Sequence, residues 1–142
     1  MLILVPVDGS ASANRAVAHA VSLAEGRADA RIFLLNIQNQ QTLDTSDVSA
    51  ITSVGDNSQR ATDQSKESLR EAIKLCRNAQ VEFETRSAFG PIAETISGVA
   101  REVKADQIVM GTRGFGPLRG AIMGSVSTKV VQLAGVPVTL VK

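Results

Sequence analysis

The sequence predicts an α/β domain, a parallel sheet covered by helices on both faces. Two observations lead there. Short, almost continuously apolar runs recur along the chain, as strands buried on both faces require. Between them lie segments whose apolar residues repeat at helical spacing, so each strand rejoins the sheet through a right-handed crossover.

Leu2-Ile3-Leu4-Val5-Pro6-Val7 is the first strand, closed by the turn Asp8-Gly9-Ser10. Ser10 is placed to cap the next segment, where Ala13, Val17, Ala20, Val21 and Ala24 form one face until Gly26 stops the helix. Arg31 to Ile37 is a second buried strand. Gln38 to Ser58 is rich in Gln, Ser, Thr, Asp and Asn and reads as a long polar connection. A second helix follows with a solvated first half. Leu69, Ala72, Ile73, Cys76 and Ala79 make its inner face, and Glu67, Arg70, Glu71 and Lys74 pair at three-residue spacing outside. Val81 to Arg86 alternates strictly, as a strand at a sheet edge does. Gly90-Pro91 opens a third helix with Ile92, Ile96, Val99, Ala100 and Val103 as its buried stripe. Ile108-Val109-Met110 is a fourth strand ending at Gly111. A glycine-rich loop, a helix from about Ser125 to Leu133 and a last strand, Val136 to Val141, complete the chain.

The 142 residues make one domain, with a hydrophobic share of 44% and 15 Lys+Arg against 14 Asp+Glu. The single Cys76 excludes an intrachain disulfide framework and fits a reducing compartment, so the cytoplasm is expected. No apolar run approaches the ~20 residues that span a bilayer, and no secretory leader pattern opens the sequence. There is no Trp or Tyr and a net charge of only +1, which argues against a platform for nucleic-acid bases. The charge is uneven, however. From Gln107 to Lys142 there is no Asp or Glu, while Arg113, Arg119, Lys129 and Lys142 are cationic. That quarter of the chain favours an anion.

In a doubly wound sheet, ligands sit beyond the carboxyl ends of the strands where the strand order reverses. The unusual residues lie after the first and fourth strands. Residues 111–124 contain Gly111, Gly114, Gly116, Gly120 and Gly124, and the loop closes onto Ser125-Val126-Ser127. Glycines let a backbone approach a phosphate closely, and Gly124, Ser125, Val126 and Ser127 are expected to present free amides and two hydroxyls at a helix N-terminus, where the dipole favours negative charge. The Gly-Lys-Ser/Thr of a Walker loop is absent. A glycine loop alone is more often a plain turn; its place after a strand and its missing acids favour the phosphate cradle.

Here the sequence resembles the ATP-binding branch of the universal stress protein family. The matching signature is Gly-x-x-Gly, nine residues, then Gly-Ser/Thr, present as Gly111, Gly114, Gly124 and Ser125. The opening Ile3 to Ser10, the Met110 to Gly114 junction and the closing Val136 to Lys142 agree with it, so the resemblance spans the whole chain. It implies a three-layer, adenine nucleotide alpha hydrolase-like fold with strand order 3-2-1-4-5. It also implies a site in which Pro6, Val7 and Asp8 lie beside ribose and adenine and Ile37 lies against the base. Met110 and Gly111 border the ribose side, and Gly114, Gly124, Ser125, Val126 and Ser127 hold the phosphates. Arg113 and Arg119 are candidate phosphate contacts. Asn36 departs from the family pattern, which often has His before the strand-2 aliphatic.

The resemblance further implies ATP, or ADP or AMP, as ligand, with Mg²⁺ or Mn²⁺ as the accompanying cation left open. No catalytic residue is assigned: Asp8 is the one carboxylate near the site, so binding with little hydrolysis is expected. Asp8 is also a good turn-former, and His19 and Cys76 read as a helix-surface residue and a core residue. An apolar last strand at the sheet edge calls for cover, and antiparallel pairing of residues 136–141 with a second copy supplies it, as in this family. The rivals are a nucleotide-using enzyme on the same fold, whose Ser-Gly-Gly-x-Asp-Ser or His-x-Gly-His loops are absent after strand 1, and a non-binding dimerisation scaffold.

Overall fold

A computed structural model describes residues 1–38, 54–113 and 123–142, with side chains except at 54–62 and 64. In chain order the elements are β1 (Leu2–Pro6), α1 (Ala11–Ala24), β2 (Arg31–Gln38), α2 (Val54–Asn78), β3 (Glu82–Phe89), α3 (Ile92–Glu102), β4 (Gln107–Gly111), α4 (Ser125–Leu133) and β5 (Val138–Val141). The strands form one five-stranded sheet in the order β3-β2-β1-β4-β5, every neighbouring pair parallel. Order and architecture match the expectation.

Strand alternation sorts the core into two layers. Ile3, Val5, Val7, Ile32 and Leu34 face α1 and α2, meeting Ala16, Val17, Ala20, Leu69, Ala72 and Cys76. Leu4, Phe33, Leu35, Ile108 and Met110 face α3 and α4, meeting Ala93, Ile96, Val99, Ala100 and Val130. The central β1 is buried on both faces, which is why its sequence shows no alternation. β3 lies at one edge, half-exposed, as its alternation predicts.

The helix ends follow local chemistry. Ser10 Oγ accepts from the Ala13 amide at 3.1 Å and caps α1. Gly26 beyond its end has φ +75°, a conformation that suits glycine. Pro91 stands at the N-cap of α3. The expected Glu67–Arg70 and Glu71–Lys74 pairs form at 3.0 and 3.8 Å on the exposed side of α2 and, being solvated, add little stability.

Several boundaries differ, most of them by a residue. The second helix begins at Val54, inside the stretch read as a connection through Ser58. Its first turns are polar all round, so they carry no apolar stripe to read. Residues 39–53 of that connection lie outside the described residues. β1 ends at Pro6 rather than Val7, although the Val7 amide still donates to Leu35 O at 2.8 Å. β3 runs on to Phe89, because Ser87 and Ala88 continue the pairing with Asn36 and Ile37. β5 begins at Val138, since Pro137 has no amide to give, though Ile108 N donates to Pro137 O at 2.9 Å.

Candidate functional site

With β1 flanked by β2 on one side and β4 on the other, the strand order reverses at the carboxyl ends of β1 and β4. A cavity of about 120 Å³ opens there. Pro6, Val7 and Asp8 line it from the end of β1, Leu35 and Ile37 from β2, and Met110, Gly111 and Arg113 from β4 and its exit. Ile92 and Ile96 of α3, Val126 and Ser127 of α4 and Ala13 of α1 close the remaining walls. The lining is mostly apolar with one carboxylate and one guanidinium at its border, the make-up of a site that takes a flat apolar group with a charged tail.

The turn after β1 is fixed by short-range bonds. The Ser10 amide donates to Asp8 Oδ1 at 2.9 Å, so Asp8 does form the turn, while it also lines the cavity. Gly9 takes φ +85°, and a Cβ there would lie 3.2 Å from Ser68 Cα of α2. The loop is therefore held against α2 while its acid stays exposed at the mouth.

Across the switch point, α4 hangs from the exit of β4. Gly124 N donates to Thr112 O at 2.8 Å, and Ser127 Oγ donates to Thr112 O at 3.0 Å and lies 3.2 Å from Gly111 O. Gly111 is needed for close approach: a Cβ would stand 2.3 Å from Ser12 Oγ and 2.9 Å from Ser12 C. Gly124, the N-cap of α4, offers no side chain to the first turn. The amides of Ser125, Val126 and Ser127 therefore have no acceptor within the helix, and they point out of its positive end.

Three expectations change. The Gly124 amide is engaged by Thr112 O, so it is not one of the open donors. The Ser127 hydroxyl, nearly fully buried, gives its hydrogen to backbone carbonyls, which leaves the Ser127 amide as its donor toward the cleft. Ser125 is exposed at the helix start rather than in the cavity wall. Gly114 and Arg119 lie outside the described residues.

Ala13, Leu35, Ile92 and Ile96 line the cavity although the sequence marked them only as core or strand positions. Signals for three of them were present. Leu35 lies two residues before Ile37 and shares its face. Ile92 and Ile96 open the helix after β3, and the first turns of such helices lie at the carboxyl end of a parallel sheet.

A larger groove of about 730 Å³ runs between α2 and β3, with Leu69 and Ile73 at its base. It lies at the edge of the sheet, away from the reversal. Of the four cations that line it among the described residues, Lys66, Arg70 and Lys74 are each paired with an acid three residues earlier on α2, and Arg77 is the fourth.

The sequence model of the universal stress protein family matches residues 1–142. The chain belongs to this family. Universal stress protein YxiE of Bacillus subtilis is 32% identical over 146 residues, covering 98% of this chain and 97% of its own. The solved structure of protein MJ0577 superposes with a TM-score of 0.85 at 23% identity, over 99% of this chain and 94% of that one, a likeness of fold. The universal stress protein of Archaeoglobus fulgidus, solved in complex with dAMP, is 25% identical with a TM-score of 0.73, over 100% of this chain and 98% of that one. As a universal stress protein, this chain has the family's sheet order, and none of its described helices is long and apolar enough to cross a membrane.

Proposed function

We propose that this universal stress protein binds an adenine nucleotide, ATP or else ADP or AMP, and serves as a regulatory sensor with little hydrolysis. The base and ribose occupy the cavity between Ile37, Val7 and Gly111, and the phosphates meet the amides of Ser125, Val126 and Ser127. The observation that carries this reading is the apolar cavity lying beside a nine-residue helix whose N-cap has no side chain. An uncapped, positive helix end next to an apolar slot is complementary to a nucleotide and to few other metabolites. The dAMP complex of the Archaeoglobus relative supports adenine as the base.

Slow turnover follows from the donor set. Asp8 is the only carboxylate that lines the cavity among the described residues, and its Oδ1 already accepts from Ser10. One carboxylate suits a Mg²⁺ or Mn²⁺ ion carried in mainly by the phosphates, and among the described residues no second acid lines the cavity to activate water. The reduced, buried Cys76 suits work in the cytoplasm. The subunits associate as a homodimer through residues 136–141.

With no Trp or Tyr in the sequence, bound nucleotide dominates the ultraviolet spectrum of the purified protein. Titration calorimetry with ATP tests the reading directly. Wild type is expected to release heat and saturate, and Gly124→Asp is expected to bind at least tenfold more weakly. Gly124 has φ −72° and ψ 159°, which any residue adopts, and Asp is a good N-cap; its Cβ would lie 3.2 Å from Thr112 O, which must give by a few tenths of an ångström, so circular dichroism checks that the variant is folded. Its carboxylate occupies the amides and repels phosphate. Undiminished ATP affinity in this variant places the phosphates elsewhere, and no heat from wild type leaves only the scaffold reading.

A further inference from the structure

We propose that Asn36 is a positioning residue that aims the Asp8 amide at the nucleoside, acting from the face of the sheet opposite the ligand. The proposal rests on the nucleotide reading above.

Strand alternation puts Asn36 with Ile32 and Leu34 on the face covered by α1 and α2, whereas Leu35 and Ile37 line the cavity on the other face. Asn36 is buried, with 3% of its surface exposed. Its Nδ2 donates to Val7 O at 2.7 Å, while Val7 N donates to Leu35 O at 2.8 Å. Both backbone polar groups of Val7 are thereby tied to β2, one residue past the end of β1. No described peptide bond is cis. In a planar trans peptide the N–H of the following residue points opposite to the C=O. Holding Val7 O toward β2 therefore turns the Asp8 N–H away from β2, into the gap where β4 ends at Gly111. Asp8 borders the cavity, so this amide meets a lone pair on the nucleoside, a ribose oxygen or a base nitrogen.

For stability the residue is double-edged, because its Nδ2 satisfies Val7 O while its other amide atom carries a cost. Asn36 Oδ1 is buried with no hydrogen-bond partner among the described residues. An orphaned buried acceptor costs free energy, and an apolar side chain between Leu35 and Ile37 would exchange that cost for an unpaired Val7 O. What an apolar residue lacks is the donor that holds Val7 O.

Asn36→Leu and the isosteric Asn36→Asp, which puts an acceptor where the donor was, test this. ATP affinity is measured by calorimetry, the thermal midpoint by calorimetry or circular dichroism, and the Asp8 amide proton by NMR of ¹⁵N-labelled protein. In wild type, ATP is expected to move the Asp8 amide proton downfield. Asn36→Leu is expected to keep its midpoint within about 5 °C and lose affinity about tenfold, with the Asp8 shift abolished. Asn36→Asp is expected to lose at least as much affinity. Wild-type binding that both variants retain within twofold, or an Asp8 amide that ATP leaves unmoved, overturns the positioning role alone. Wild type that gives no heat with ATP overturns the nucleotide reading and this role with it.

Discussion

Gly111 shows at a single position how a missing side chain shapes the site. It ends β4, borders the cavity and lies against the first turn of α1. An added methyl would overlap Ser12 Oγ at 2.3 Å and, more seriously, the Ser12 carbonyl carbon at 2.9 Å, and backbone cannot rotate away as a side-chain tip can. Gly111→Ala is therefore expected to cost about 1–3 kcal/mol in denaturant unfolding, as overpacking does, and to weaken ATP binding by pushing α1 and β4 apart. Unchanged stability shows that α1 shifts freely. Cys76 gives a second prediction. Burial pushes its thiol up to about 11, so the native protein is expected to alkylate slowly at pH 8 and rapidly in urea. Because the folded value is raised, the neutral thiol favours the native state below about pH 9, and this contribution is lost as pH rises toward 11. A Cys76→Ala variant is expected to show a shallower alkaline fall in thermal midpoint.

At the level of elements, α4 is the part that must stay in place, because it carries the open amides. It is tied to β4 through Gly124 N and Ser127 Oγ, and to α3 through the Lys129–Glu94 ion pair. The hydrogen bond from Lys129 holds the Glu94 carboxyl below its usual range. A depressed folded value means the stabilisation is present above the unfolded pKa of about 4.3 and fades as pH falls through the folded one. The pair is exposed, so Glu94→Gln is expected to flatten only slightly the decline of the thermal midpoint as pH falls below the usual carboxylate range. A decline as steep as wild type assigns it to other carboxylates. Most of this was legible in the sequence. The apolar β1, the capping Ser10 and the Gly-Ser start of α4 each announce themselves through one local requirement: burial on both faces, a cap, a close approach. What could not be read was relational. The polar first turns of α2 have no stripe, and the engagement of Gly124 N by Thr112 O exists only once α4 is folded back on β4. Ile92 and Ile96 look like any core stripe until the sheet places their turn beside the reversal point.

Over the whole molecule, the proposed homodimer is tested at the outer edge of β5. Ile108 N donates to Pro137 O and Thr112 N to Val141 O, so residues 137 and 141 turn their backbone toward β4. By the two-residue period of a strand, Val138 and Leu140 present their N–H and C=O groups to the open edge. Val131 and Leu133 of the neighbouring α4 are exposed large apolar residues close by in sequence. An open strand edge calls for pairing or cover, and in the proposed dimer antiparallel union of two β5 strands would join the sheets of both subunits into one. Hydrogen exchange reads this without mutation. The Val138 and Leu140 amides are expected to be protected, with protection falling on dilution below the dimer dissociation constant, while the Thr112 amide, bonded within the subunit, stays protected throughout. Val138→Pro removes an outward donor and leaves the β4 ladder intact, so light scattering is expected to give a monomer that retains ATP binding. Rapid exchange at both amides at every concentration, together with a monomeric wild-type mass, rules out the β5 pairing. Loss of ATP affinity in a folded monomer means that the second subunit supports the nucleotide site.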